Sequence, residues 1–346
     1  MPISSVQEFQ EAVARMQGNP GYRAPLAFGI CQVQEDHAET GRILSCNFPV
    51  VNWKENFGSA AVFMHSTGLL REAHLYEVPE IVTTITAGQA HAMLETFAPF
   101  HGATKSDHRN VQLVEAMNLP GRGLDGYRLA VVFEDVAQQS VPAAYLKLSA
   151  LSLNKIKASD VDLNGIQNAL KPLAWGDKAY DPDQLRNNEV KLRTLRQYPK
   201  ISRVGKLPLY LDHVTPPSGV EIADNAYVPL GVYLAPGTKV MSGAHIDLGS
   251  STGDNCVLGP NSVTAIPLGN GCTINAGVTI HADANVYIRA NDIHAINALE
   301  AKDLPNKSVS GSYVKGADLA GVSGLYFTND TDTGKLVARL TKLTPG

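Results

Sequence analysis

The chain opens with apolar residues at helical spacing: Val6, Phe9, Val13 and Met16 fall on one face. Ser5 with Glu8 three residues on forms a capping-box pattern, and Gly18 is a stop. From Leu26 to Phe63 the pattern turns strand-like, in LAFGICQV, RILSCNFPVVNW and SAAVFMH. Residues 87–98 (AGQAHAMLETFA) return to a helical pattern that ends at Pro99, and 128–133 (RLAVVF) read as a buried strand. This alternation predicts an α/β domain over 1–140. A helical middle region follows over 141–215. Its last helix has Asp181 as N-cap, Pro182 at the first position and Pro199 just beyond the end. Leu185, Leu192 and Leu195 are expected to face the core, and Lys191, Arg193 and Arg196 to be solvated.

Near Pro216 the period changes. Ile222, Val228, Leu234, Val240 and Ile246 follow one another every six residues. Leu258 keeps the frame, which slips by two residues and then returns as Leu268, Ile274, Ile280 and Val286. The positions two earlier are mostly small, such as Ala226, Thr238, Ala244, Cys256, Ser262 and Cys272. A period of six is neither helical nor a simple alternation. It marks a hexapeptide β-helix, in which three short faces close one coil and one aliphatic side chain per face points inward. The predicted β-helix covers 216–292, with a C-terminal extension over 293–346. A Gly-rich sandwich with irregular strands is the alternative. With the slip allowed for, Cys256 and Cys272 lie one coil apart and stack as buried thiols. Flat faces with open backbone edges favour self-association, usually as a closed trimer in proteins of this repeat.

Composition narrows the function. The 346 residues carry 29 Lys+Arg against 33 Asp+Glu, a formal charge of −4, with no basic patch to hold nucleic acid. No apolar run has membrane-spanning length, and the start MPISSVQEFQEAV has no secretory pattern, so a cytoplasmic protein is expected. Four cysteines (Cys31, Cys46, Cys256, Cys272) without CxxC spacing read as reduced thiols. His91 and His101, or His65 and His74, are too far apart for a ligand pair, so no metal site is expected. No Gly-rich phosphate loop is present. Within 216–292 the cations Lys239 and Arg289 face Glu221, Asp224, Asp247, Asp254, Asp283 and Asp292. Phosphates of a coenzyme would need Lys302, Lys307, Lys315 or a neighbouring subunit.

The segments LAFGI (26–30), YLKLSALSLNKIKASDVDLNGI (145–166), PPSGVEIADNAYVPLGVYLAPGTKVM (216–241), VLGPNSVTAIPLGNGCTINAGV (257–278) and GLYFTNDTDTGKLVA (324–338) carry a resemblance. Together they resemble the tetrahydrodipicolinate N-succinyltransferases of lysine and diaminopimelate synthesis. The resemblance implies an α/β N-terminal region, a left-handed parallel β-helix, a short C-terminal β segment and a homotrimer. It implies a coenzyme A thioester as cosubstrate, succinyl-CoA or acetyl-CoA, and acyl transfer to the amine of a small amino-dicarboxylic acid. Leu258-Gly259-Pro260-Asn261-Ser262 resembles the family's L-G-A-N-S, and Asn275-Ala276-Gly277 its acidic-residue-A-G, so these residues are the implied coenzyme contacts.

The chain also departs from the family. Val240-Met241 is followed by SGAHIDLGSSTGDNC, not by the family's V-E-G-R, whose glutamate is usually the acid/base group. About two coils are missing. Thr328 stands where the family has arginine after phenylalanine, and the closing L-N-E is absent. An acetyl donor, or a tabtoxin-like branch of secondary metabolism, would fit such divergence. A catalytically silent trimer that binds a metabolite or partner is the alternative function.

Amine acylation needs a held pair of reactants, a base and an oxyanion donor. The base candidates near the altered segment are His245, Asp247 and Asp254. His245 and Asp247 flank inward Ile246, so both point outward. His245 is the first choice for base and Asp247 the orienting or amine-binding partner. Ordinary solvated residues on the outer wall are the plainer reading. His281, which follows inward Ile280 and faces out, and His294 are further candidates.

Overall fold

Apolar runs buried on both faces, such as residues 27–31, build the first strands into an antiparallel sheet. The computed structural model describes residues 3–36, 41–71, 78–101, 107–137, 139–288 and 312–340. It divides into two compact units, Met1–Ala150 with Ser159–Lys206, and Leu151–Ala158 with Leu207–Gly346. Arg289, Asp292, His294, Lys302 and Lys307, as well as His74, lie outside the described residues.

The first unit begins with strands β1 (Ala27–Glu35), β2 (Ile43–Asn47), β3 (Asn52–Trp53), β4 (Glu80–Thr84) and β5 (Tyr127–Val132). Their order is β2-β1-β5-β4, with β3 also on β1, and every pairing is antiparallel. Helices α1 (Val6–Gln17), α2 (Phe57–Ser66), α3 (Ala87–Thr96) and α4 (Arg109–Met117) cover the sheet. Phe28, Ile30, Phe63, Met93, Val114 and Leu129 share the resulting core.

Two sequence expectations are corrected here. SAAVFMH lies in α2, not in a strand. Residues 59–64 are buried on every side, and an all-apolar run lacks the periodicity that separates helix from strand. At α1 only half of the capping box forms: Ser5 Oγ accepts from Glu8 N at 3.2 Å, while the Glu8 carboxylate turns back to Ser4. The complete box is at α3, where Thr86 Oγ1 accepts from Gln89 N and Gln89 Oε1 accepts from Thr86 N.

Helix α5 (Val141–Ser152) buries Lys147 completely, with its ammonium on the Asp135 carboxylate. The other Asp135 oxygen accepts from Asp162 N at 2.7 Å, and Asp162 caps α6 (Leu163–Ala169). The middle region is not purely helical. Strands β6 (Leu173–Trp175), β7 (Ala179–Tyr180) and β8 (Arg203–Gly205) form a small antiparallel sheet. The helix expected after Asp181 is capped as foreseen, with Asp181 accepting from Asp183 N and Gln184 N. It breaks at Asn188 into α7 (Pro182–Asn187) and α8 (Glu189–Thr194). Leu185 is therefore buried, while Leu195, beside left-handed Arg196, is 54% exposed instead of facing the core.

The second unit is a three-sided parallel solenoid. Its strands are β9 (Glu221–Ile222), β10 (Lys239–Val240), β11 (His245–Ile246), β12 (Val257–Leu258), β13 (Val263–Thr264), β14 (Thr273–Ile274), β15 (Thr279–Ile280) and β16 (Asn285–Ile288). One face stacks β9-β10-β12-β14 and a second stacks β11-β13-β15. The third shows itself as a bridge from Tyr233 to Ser251. Lys239 pairs with Val257 eighteen residues on, but Val257 with Thr273 only sixteen on. The same shortening separates Val263 from Thr279, so the two missing residues belong to the third face between them. This is the slip seen in the sequence.

Val228, Leu234, Val240, Ile246, Leu258, Leu268, Ile274, Ile280 and Val286 are all buried in the column, and Ile222 at its mouth is half-buried. Where the aliphatic pattern is interrupted, Thr252 and Thr264 take its place inside. Thr252 Oγ1 bonds Thr238 Oγ1 at 2.9 Å and accepts from Ala235 N, which satisfies the buried hydroxyls. Cys256 and Cys272 stack on successive coils, both wholly buried.

The tail completes the column. Strands β17 (Ser312–Lys315), β18 (Leu325–Asn329) and β19 (Leu336–Leu340) join the first face in the order β17-β16-β19-β18-β14. β18 runs parallel to β14, so wholly buried Phe327 sits on Ile274 as the next inward residue.

Candidate functional site

β11 and the residue just after it supply the two outward side chains expected to carry chemistry. Alternation about buried Ile246 turns His245 and Asp247 to the same outer side. His245 Nε2 lies 2.9 Å from Asp247 Oδ1, and both side chains are about two-fifths exposed. The Tyr227 ring lies against the imidazole, with centroids 4.6 Å apart. Tyr227 sits one coil earlier and bridges to His245 in the ladder. The imidazole is thus flanked by a carboxylate at Nε2 and by an aromatic ring on its face.

The corner between the first and second faces brings together the implied coenzyme contacts. Gly259–Ser262 make this corner on one coil and Asn275–Gly277 make it on the next. Gly259 N donates to Ile274 O at 2.8 Å, and Gly277 N to Pro260 O at 2.9 Å. The coil before is tied in by Asn261 N, which donates to Ser242 O. His245 N donates to Ser262 O at 2.8 Å, so the His–Asp pair begins directly beside the corner.

Two of the seven contacts fill other roles. Ser262 is wholly buried and its hydroxyl points into the solenoid, because it occupies the small inward position before the strand. Gly259 is buried against the next coil: a Cβ there would lie 2.8 Å from Ile274 O. Pro260, Asn261, Asn275, Ala276 and Gly277 are exposed. His281 is exposed two coils beyond the His–Asp pair, and Asp254 stands exposed at another corner. Lys315 contacts Asp283 O and Asn285 Oδ1.

Two residues of this region were missed in the sequence. Tyr227 was readable as the residue one full coil before His245. Asn329 was not, because it arrives through the tail beside Thr328. Asn275 Nδ2 lies 3.4 Å from Thr328 Oγ1, and Asn329 Nδ2 donates to Gly277 O.

A parallel three-sided coil with six-residue steps defines a hexapeptide-repeat protein. Residues 251–282 match the family described as "Hexapeptide repeat of succinyl-transferase". Residues 7–168 match "Tetrahydrodipicolinate N-succinyltransferase N-terminal". A protein of Sulfurovum sp. named 2,3,4,5-tetrahydropyridine-2,6-dicarboxylate N-succinyltransferase is 34% identical over 387 positions, covering 97% of this chain and 96% of its own. The Helicobacter pylori protein of the same name is 33% identical, with 96% of each chain covered. A solved Campylobacter jejuni structure, described as a 2,3,4,5-tetrahydropyridine-2-carboxylate N-succinyltransferase, superposes with a TM-score of 0.74 at 28% identity over 99% of both chains. The chain belongs to the tetrahydrodipicolinate N-succinyltransferase family. The 387 aligned positions outnumber its 346 residues, so the Sulfurovum relative has residues with no counterpart here.

Proposed function

We propose that the protein is an acyltransferase that moves a succinyl group from succinyl-CoA to the amine nitrogen of a tetrahydrodipicolinate-derived amino-dicarboxylic acid. Relatedness along nearly the whole length of both chains carries this reading. The amine nitrogen attacks the thioester carbonyl. The new N–C bond forms as the C–S bond breaks, and sulfur leaves as the coenzyme thiolate. His245 takes the amine proton at Nδ1 and passes it to that thiolate. Asp247 holds the imidazole and stabilises its charged form. The exposed corner of Pro260, Asn261 and Asn275–Gly277 receives the coenzyme arm. The protein assembles as a homotrimer through the flat faces of the solenoid and works in the cytoplasm. Among the described residues no helix is long and apolar enough to cross a membrane.

The test is release of free thiol from succinyl-CoA in the presence of tetrahydrodipicolinate, with acetyl-CoA as a parallel donor. The expected result is acceptor-dependent thiol release with succinyl-CoA. Turnover with acetyl-CoA alone reassigns the donor. No thiol from either donor, with no heat of coenzyme A binding, overturns the reading. Light scattering of the purified protein tests the trimer.

A further inference from the structure

Helix α2 starts without a side-chain cap. Its N-cap residue, Asn56, has a left-handed backbone at φ +55, and its amide makes no bond to the first-turn N–H groups. That amide is engaged elsewhere. Asn56 Nδ2 donates to Asn52 Oδ1 at 2.8 Å, and His108 Nε2 lies 3.0 Å from Asn56 Oδ1. Asn52 and Asn110, both buried, complete the chain of amides by bonding each other. The helix ladder begins with Ala60 N donating to Asn56 O, so Gly58 N and Ser59 N have no acceptor among the described residues. No acidic residue stands in the first turn to offset the positive end of the helix dipole.

Gly58 and Ser59 line a cavity of about 270 Å³ together with residues of α1 and α4. Ser59 is only 6% exposed, and its hydroxyl has no hydrogen-bond partner among the described residues. A buried hydroxyl left unmatched costs free energy unless a ligand supplies the partner. Phe9, Phe97 and Phe100 form the apolar wall. The Phe9 ring meets Phe100 edge-on with centroids 4.9 Å apart, and lies 5.6 Å from Phe97. Rings in such a cluster accept a further ring edge-to-face or offset. No described lining residue is acidic, and the charged neighbours in sequence, Lys54, Glu55, Asp107 and Arg109, do not line the cavity. Its volume suits one ring with a short chain.

We propose that this cavity binds a small aromatic carboxylate. The ring packs among Phe9, Phe97 and Phe100. The carboxylate accepts from Ser59 Oγ and from the N–H groups of Gly58 and Ser59, at the positive end of α2. His108, at the rim, adds positive charge when protonated. The site belongs wholly to the first unit and does not depend on the acyl-transfer reading.

3-Phenylpropionate is the probe, titrated calorimetrically into the full-length protein. Two analogues are titrated beside it: 3-phenylpropionamide, which keeps the ring and lacks the charge, and hexanoate, which keeps the charge and lacks the ring. The wild type is expected to bind the aromatic acid more tightly than either. Ser59→Ala is expected to weaken that binding about tenfold, the size of one hydrogen bond to a charged group. The same substitution leaves the melting temperature of the ligand-free protein unchanged or raises it, because the hydroxyl removed has no partner and alanine favours the helix. A lower melting temperature would show that the hydroxyl serves the fold instead, and overturns the assignment. The proposal is equally overturned if the wild type does not bind the aromatic acid, if it binds either analogue as tightly, or if Ser59→Ala binds the acid as the wild type does.

Discussion

The Oδ1 atom of Asn261 fills the space that a Cβ on Gly243, one coil earlier, would occupy. Both residues have left-handed backbones, with φ +70 at Gly243 and φ +54 at Asn261. Asn255 rests on Gly237 in the same way at a neighbouring corner. The corners are therefore built as ladders, in which an asparagine side chain packs on the bare face of a glycine.

Gly243→Ala places a methyl group against that amide and forces an L-residue into the left-handed region. The expected loss is about 2 kcal/mol of stability, read from the urea midpoint. In an Asn261→Gly background the same substitution costs less, because the obstructing amide is gone. Equal costs in the two backgrounds would mean that the packing contact contributes nothing.

Lys147 and Asp135 pin α5 to the segment that follows β5. Lys147→Ala leaves a half-buried carboxylate without its partner and is expected to cost about 3–5 kcal/mol. Lys147→Met keeps the packing of the aliphatic stem and costs less. Equilibrium unfolding of both variants checks the order.

Much of the second unit was legible because a column of inward side chains leaves its period in the residue order. Even the coil of sixteen residues showed itself as a slip of frame. The asparagine corners were missed, although Asn255 and Asn261 stand one coil after Gly237 and Gly243. Phe327 was invisible as the successor of Ile274, because no local pattern joins positions so far apart in the chain. The buried run in α2 misled for the opposite reason: positions 60–64 are all apolar, so no period remained to be read.

His245→Asn is expected to lower kcat by roughly 10²–10⁴-fold, the usual contribution of a positioned base. Asp247→Asn removes the charge that orients the ring and lowers kcat less. Thiol release under saturating substrates measures both. Unchanged turnover in His245→Asn would move the base elsewhere.

Burial holds the His213 pKa below its ordinary value, against an opposing pull from Asp212. The unfolded chain therefore binds this proton at a higher pH than the folded one. The contribution of His213 is complete above about pH 6.5 and is lost as pH falls toward its folded value. The melting temperature is expected to drop between pH 7.5 and pH 5.5, and to drop less in His213→Gln.

The Cys256 thiol beside it, together with burial, pushes Cys272 up. Burial, then the neighbouring Cys31, raises Cys46. Iodoacetamide at pH 8 is expected to leave Cys46 and Cys272 unmodified in the native protein and to label both in urea. Peptide mass spectrometry reads the difference.

The strand that covers β14 comes from residues 325–329, some fifty positions downstream. During synthesis the backbone groups of Thr273 and Ile274 stay open until that strand has left the ribosome. The exposed edge is then a nascent-chain hazard, and this end of the molecule closes only after the earlier coils have had time to wind.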